Sequence, residues 1–383
     1  MHKKIVMVCN TSWGMVKFRQ GLISKLLSDG FHLTILAPKD SLSRELETMG
    51  CEFVPIQMDN KGTSLGRDLK MMRELYRHYC RIAPNLIIHY TIKPNIYGTI
   101  AAKMAGIPSI AVITGLGYTF INHNIASYAA KRLYRLSLRF ADRVCFINED
   151  DKNTFLRENL VAKEKIEMLP GEGVNTEKFA PVAVKREDNR FVFVLIARLL
   201  WDKGVGEYVE AARVLKKRYQ NVEFDLVGFL DAKNPQAIDE AEVENWVEEG
   251  IVNYRGPVQD VRPVIAASDC VVLPSYREGI SMVLMESASM QKPIIATNVP
   301  GCRDIVSHTE TGFLVPLKDA KALARAMEKI LHMSDAERME MGHCAREHIL
   351  REFDEKIVIR RYKMMISSLL LDEGAQFRLK KKR

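Results

Sequence analysis

Short runs rich in Val and Ile alternate with longer amphipathic stretches along most of the chain, and midway the alternation breaks off and then restarts. The first series puts strand-like runs at residues 5–9, 33–36, 53–56, 86–88, 110–113 and 144–147, with helical stretches at 15–28 and 65–81. Apolar runs with little internal alternation, spaced by helices, mark parallel strands buried on both faces. From 170 to 189 the periodicity fails, and Gly171, Gly173, Pro181 and the charged Lys185-Arg186-Glu187-Asp188 read as a linker. Strand-like runs resume at 191–196, 222–227, 253–255, 270–273 and 293–297, with a helix over 205–218. The fold class is therefore α/β, with two doubly wound, Rossmann-like domains predicted at 1–180 and 181–350. In open parallel sheets, ligands bind beyond the carboxyl ends of the strands, so the site is expected in strand-end loops facing a cleft between the domains.

Composition narrows the function classes. The longest unbroken apolar run, 191–197, is far shorter than the roughly 20 residues that span a bilayer. Met1-His2-Lys3-Lys4 leads straight into a strand-like run, so no secretory leader is expected. Seven cysteines are scattered without a C-x-x-C pair, which argues for a reducing cytosol and against a zinc site. The formal charge is +8, and residues 356–383 hold nine basic against two acidic side chains. No nucleic-acid recognition module accompanies that charge, so nucleic acid is not an expected partner.

The common nucleotide signatures are missing. No G-x-G pair extends to G-x-G-x-x-G, no Walker-type motif occurs, and no D-x-D is present to bridge a metal to a diphosphate. Phosphate would have to be neutralised by basic side chains and helix N-termini, with no metal and no cofactor. The second domain offers such groups. Arg198 follows the strand-like run 191–196, and Lys203 stands five residues on, before a helix. By themselves Arg198 and Lys203 read more readily as solvated loop residues. The stretch from Leu273 to Ala288 then adds a strand, a Pro- and Gly-bearing turn and a helix start carrying Glu278 and Glu286. Gly279 would let a ligand approach closely, free N–H groups of Ile280 and Ser281 suit a phosphate, and the two carboxylates suit sugar hydroxyls.

On these residues the chain resembles the retaining glycosyltransferases of family 4. The likeness is carried by the Glu278-x7-Glu286 element with Arg198 and Lys203, by Gly171-Glu172-Gly173-Val174-Asn175, and by Asn298-Val299-Pro300-Gly301-Cys302-Arg303 and Thr311-Gly312-Phe313-Leu314-Val315. Within the family, Asn10-Thr11-Ser12-Trp13, Tyr90 to Gly98 and Thr114-Gly115-Leu116-Gly117-Tyr118 look like bacterial members that build O-antigen, capsule or glycoprotein oligosaccharides. The resemblance implies a GT-B fold, with a C-terminal helix in 351–383 packing back toward the first domain. It implies transfer of GalNAc, GlcNAc or a related hexose from a UDP-sugar to a polyprenyl-diphosphate-linked saccharide, at the inner face of the cytoplasmic membrane.

Carried over residue by residue, Arg198, Lys203 and Glu278 would be catalytic. Arg198 and Lys203 would hold the donor diphosphate, Glu278 the sugar hydroxyls and Glu286 the ribose. Gly279, Ile280 and Ser281 would contact phosphate and sugar, Arg255 and Val258 would lie near the base, and Gly14 would permit close approach of the diphosphate. Acceptor-side candidates are Lys17, Arg19, His89, Lys93 and Thr114, the last standing where many family members have a histidine. A sugar-nucleotide epimerase on a similar fold, or a non-catalytic sugar-nucleotide-binding scaffold, remains open at this stage.

Two basic stripes are also legible. Residues 127–143 carry Lys131, Arg132, Arg135, Arg139 and Arg143 beside Leu133, Leu136 and Phe140, and Arg67, Lys70, Arg73, Arg77 and Arg81 form the second. With the basic tail they suggest attraction to an anionic membrane surface or to an acceptor diphosphate, and Tyr118-Thr119-Phe120-Ile121 could either insert shallowly or pack internally.

Overall fold

The computed structural model describes residues 3–59, 64–116, 125–184, 189–231 and 234–380. The charged linker residues 185–188, the proposed insertion at 118–121 and the last three tail residues lie outside the described residues.

Seven parallel strands form the first sheet: β1 (Lys4–Val8), β2 (His32–Ala37), β3 (Glu52–Pro55), β4 (Leu86–Tyr90), β5 (Ser109–Ile113), β6 (Arg143–Phe146) and β7 (Ile166–Met168). Their spatial order is β3-β2-β1-β4-β5-β6-β7. In the central register Val6 stands beside Thr34 on one neighbour and Ile87 on the other. Because side chains alternate across a strand, Val6, Val8, Ile87, Ala111, Val144 and Phe146 share a core cluster with Met71, Leu75, Tyr134, Leu138 and Phe155. That places helices Leu65–Ile82, Ile125–Leu138 and Glu149–Arg157 in one layer. The opposite layer holds helices Ser12–Ser28 and Glu355–Lys380, where Arg19 lies over the Tyr90 ring and Met365 Sδ is 3.5 Å from Cys145 Sγ. Cover on both faces is why these strands read as continuous apolar runs.

The second sheet comprises β8 (Phe191–Ile196), β9 (Val222–Val227), β10 (Asn253–Gly256), β11 (Cys270–Leu273), β12 (Ile294–Thr297) and β13 (Gly312–Val315), all parallel, in the order β10-β9-β8-β11-β12-β13. Its core gathers Phe193, Leu195, Tyr208, Phe224 and Trp246, with Met327 and Ile330 of the amphipathic helix Ala320–His332. Strand order reverses beside β1 and β4 in one sheet and beside β8 and β11 in the other. Loops at those two places are where each sheet can receive a ligand.

The chain divides into two compact units, Met1–Glu172 with Glu355–Arg383, and Gly173–Asp354. The first crossover therefore falls earlier than residue 180. Val174 donates its N–H to Phe353 O at 2.9 Å, and Phe179 O accepts from Ser289 Oγ at 2.7 Å, so 173–181 already packs within the second unit. The last helix returns to the first unit, where Lys363 Nζ pairs with Asp29 at 2.7 Å. β7 has no counterpart in the sequence reading, because this edge strand is three half-buried residues with no apolar run.

His89 is an interior residue. It lies on the β4 side covered by helices, fully buried, with Nε2 3.0 Å from the Tyr79 hydroxyl and Nδ1 3.4 Å from Thr99 Oγ1. Burial pushes its pKa down from 6.5 to about 3. Between those values the unfolded chain holds more protons than the folded one. The stability attached to a neutral His89 is thus complete above about pH 6.5 and is lost as pH falls toward 3, by about 1.4 kcal/mol per pH unit. Replacing it, His89→Gln, should flatten the acid limb of a plot of urea midpoint against pH, and an acid limb as steep as that of the natural protein would refute a buried neutral imidazole.

Candidate active site

The loops that follow β8, β11 and β12 are locked together through their backbones. After β8 the chain makes one 3-10 turn, Trp201–Lys203, and leaves it through Gly204 at φ 72°. A Cβ on Gly204 would stand 2.1 Å from Pro274 O, so only glycine permits this approach to the loop after β11. Tyr276 N–H then donates to Asp202 O at 2.8 Å. From the other side Glu278 N–H donates to Pro300 O at 3.2 Å. Gly301, at φ 77°, would with a Cβ meet Glu278 O at 2.7 Å.

Within this frame Lys203 Nζ donates to Glu278 Oε1 at 2.5 Å, and the two side chains are only 16% and 15% exposed. Taking both charges partly out of water costs desolvation, which their mutual pairing offsets. An ammonium carries three donors, so Lys203 can meet an anion while keeping Glu278 in place. Arg198, at 48% exposure, is 3.7 Å from Asp231 Oδ2 on the loop after β9. Exposed pairs of that length contribute little, which leaves the guanidinium free to exchange partners. Arg255 and Val258 lie exposed at and just after edge strand β10, with Arg255 3.3 Å from Asp225.

The helix after this loop runs Met282–Ser289, so Glu278 lies in the preceding loop and not on the helix start, while half-buried Glu286 lies within the helix. Ser281 is its N-cap and accepts from Leu284 N–H. Contrary to the reading of a free N–H there, Ser281 donates to Gly301 O at 3.2 Å. Gly279 is half-buried and Ile280 buried beside it. Cys302 sits buried under the pair, and desolvation, with a smaller push from Glu278, moves its thiol up despite Lys203, which removes it as a nucleophile.

In the first unit the candidates separate. Helix Ser12–Ser28 begins with Thr11 as N-cap, its Oγ1 accepting from Gly14 N–H at 3.0 Å, so Gly14 lies buried in the first helical turn. Lys17 is exposed on that helix and Thr114 is half-buried just after β5. Arg19 is buried. It donates to Gly14 O at 2.9 Å, pairs with Glu172, and lies 3.9 Å over the Tyr90 ring. Burial opposes its charge, but Glu172, with Cys9, Tyr90 and Tyr362, raises its pKa overall. Arg19 and His89 are thus interior residues rather than acceptor contacts, and Lys93 is held by Asp68 at 2.7 Å, which Tyr97 also bonds at 3.2 Å.

Sequence reasoning missed Asp231, which no local spacing ties to Arg198, and the supporting part played by Pro300 and Gly301. Their signal was the Pro-Gly dipeptide directly after a strand-like run, the mark of a turn that brings backbone close to a neighbour.

Known glycosyltransferases resemble the chain over both units. The family profile described as Glycosyl transferases group 1 matches residues 190–333, and that described as Glycosyl transferase 4-like matches residues 4–148. The chain is 28% identical to the N,N'-diacetylbacillosaminyl-diphospho-undecaprenol alpha-1,3-N-acetylgalactosaminyltransferase of Campylobacter jejuni, over 90% of this chain and 93% of that protein. It is 27% identical to the UDP-Gal:alpha-D-GlcNAc-diphosphoundecaprenol alpha-1,3-galactosyltransferase of Escherichia coli, over 73% and 74% respectively. Among solved structures, sucrose-phosphate synthase of Thermosynechococcus elongatus superposes with a TM-score of 0.82 at 19% identity, covering 97% of this chain and 100% of that one. Anabaena HepE in complex with UDP and glucose does so at 0.79 and 19%, covering 96% and 100%. With a glycosyltransferase profile on each unit and two doubly wound parallel sheets, the chain is a glycosyltransferase of the GT-B fold.

Proposed function

We propose that the chain moves a hexose, GalNAc, GlcNAc or a close relative, from a UDP-sugar to a hydroxyl of a polyprenyl-diphosphate-linked saccharide, with retention at the anomeric carbon and without a metal. The observation that carries this reading is the ammonium of Lys203 fixed 2.5 Å from the Glu278 carboxylate at the β8/β11 switch point, with the Arg198 guanidinium on the same loop. The diphosphate-undecaprenol substrates named for the Campylobacter and Escherichia relatives support the acceptor class. UDP and glucose bound to HepE support the donor.

In this reading the bond between C1 and the diphosphate oxygen breaks while the acceptor oxygen bonds C1 on the same face. The acceptor's proton passes to the departing diphosphate, whose growing charge Lys203 and Arg198 stabilise. Glu278 holds the donor sugar hydroxyls, Glu286 the ribose, and the backbone of Gly279 and Ile280 the phosphate. Arg255 and Val258 border the base, and Gly14 leaves room beside the diphosphate. Lys17 and Thr114 remain as acceptor contacts. An acceptor carried by a membrane lipid places the enzyme peripherally at the inner face of the cytoplasmic membrane, against an anionic surface.

Lys203→Ala should still fold, with a lowered melting midpoint because Glu278 loses its partner, and lose about 100-fold or more in kcat, measured by mass detection of glycosylated polyprenyl-diphosphate saccharide. Full turnover in that variant would remove the proposed cation. Conversion of the donor to an isomer with no acceptor present would instead favour an epimerase, and donor binding with no turnover a scaffold.

Gly301→Ala tests the loop frame. It should lower kcat/KM by about tenfold or more by displacing Glu278. Gly250, at φ 68° with nothing within 4 Å, is the control: Gly250→Ala should cost about 1 kcal/mol of backbone strain and leave transfer intact. Equal activity losses in both variants would mean that strain, not Glu278 placement, is being read.

A further inference from the structure

The helical layer on one side of the first sheet sets exposed cations beside exposed apolar side chains. Helix Leu65–Ile82 packs Met71, Leu75 and Tyr79 inward and leaves Arg73, Arg77, Leu65 and Leu69 exposed. Helix Thr99–Ala105 exposes Lys103 and Met104. Helix Ile125–Leu138 buries Tyr134 and Leu138 and exposes Tyr128, Arg132 and Leu136 along one side, continuing into exposed Arg139 and Phe140. The helical period brings these positions onto one stripe.

Negative charge is nearly absent from that face. On these three helices the acids are Asp68, buried and held by Lys93, and half-buried Glu74. Glu158, beyond the third helix, is paired with Lys131 at 2.8 Å, and Asp59 with Arg67 at 2.8 Å. The basic region ends at helix Glu149–Arg157, which carries Glu149, Asp150 and Asp151. On the opposite layer Asp29 takes both Lys25 and Lys363.

We infer that the outer face of helices Leu65–Ile82, Thr99–Ala105 and Ile125–Leu138 docks on an anionic phospholipid bilayer, with guanidinium and ammonium groups at the phosphates and Leu65, Leu69, Met104, Tyr128, Leu136 and Phe140 entering the headgroup boundary. This names the surface through which the enzyme under Proposed function would reach a lipid-linked acceptor, and it rests on that reading for its biological use. Cations interleaved with exposed aromatic and aliphatic side chains fit an interface that is charged outside and apolar just beneath. An acidic protein or a nucleic acid would match the charge and leave the apolar side chains unused.

The test is co-sedimentation of the full chain with phosphatidylcholine vesicles, with and without phosphatidylglycerol, alongside transfer to a short-chain, water-soluble acceptor. Binding should require phosphatidylglycerol and fall with added salt. Arg73→Glu with Arg77→Glu and Arg139→Glu should weaken vesicle binding by about tenfold or more, and Leu136→Ser with Phe140→Ser should weaken it severalfold. Both variants should keep the natural melting midpoint and full transfer to the soluble acceptor. Unaltered vesicle binding in the variants, or equal binding to neutral vesicles, overturns the docking face. Absence of transfer in every protein, the natural one included, counts against the transferase reading, and the vesicle result still decides the face by itself.

Discussion

Lys203 and Glu278 are 75 residues apart in sequence, and what brings them to 2.5 Å is backbone against backbone. β9, β8, β11 and β12 are successive neighbours in a parallel sheet, so their continuations emerge about 5 Å apart and must either diverge or touch. They touch because Gly204, Gly228 and Gly301 present no Cβ where Pro274 O, Ala197 O and Glu278 O stand. All three carry positive φ, 72°, 150° and 77°, so the same residues satisfy both the turn and the close approach. A pair fixed in this way needs little rearrangement to meet a charge that develops in a transition state.

Such a frame explains what could be read from the sequence. The alternation of apolar runs and amphipathic stretches carries the fold class because burial on both faces of a parallel strand forces it. Arg198, Lys203 and Glu278 stand out, with Glu286 on the helix that follows, because strand-end loops have few other reasons for that combination. The Ser281 N–H did not stand out as occupied, since its acceptor, Gly301 O, comes from another loop and local spacing is blind to it. The domain boundary shifted for a similar reason: Pro and Gly mark a break in periodicity, but the contacts of Val174 and Phe179 decide which unit a segment joins.

Charge is the property that sequence position reveals least. Arg19 and Arg139 look alike as basic residues on amphipathic helices, and their surroundings are opposite. Arg19 is inside, held by Glu172, the Gly14 carbonyl and the Tyr90 ring, while Arg139 lies in the open among exposed Leu136 and Phe140. Removing Arg19 would strand a buried carboxylate, whose pKa burial already raises, whereas removing Arg139 changes only a surface field.

The two sheets repeat one topological device and fill it differently. Beside β4, Arg19 is closed off by its own partners, and on the other face of that strand His89 is neutral in the core, so this switch point offers a rigid helix start carrying Gly14 rather than free charge. Beside β8 and β11, Lys203 and Glu278 are mostly shielded, yet both reach the loop surface, and Arg198 is half exposed next to them. Where order reverses in a parallel sheet the geometry for a ligand comes with the fold. Which of two such places takes an anion is then set by whether its cations are already satisfied from within.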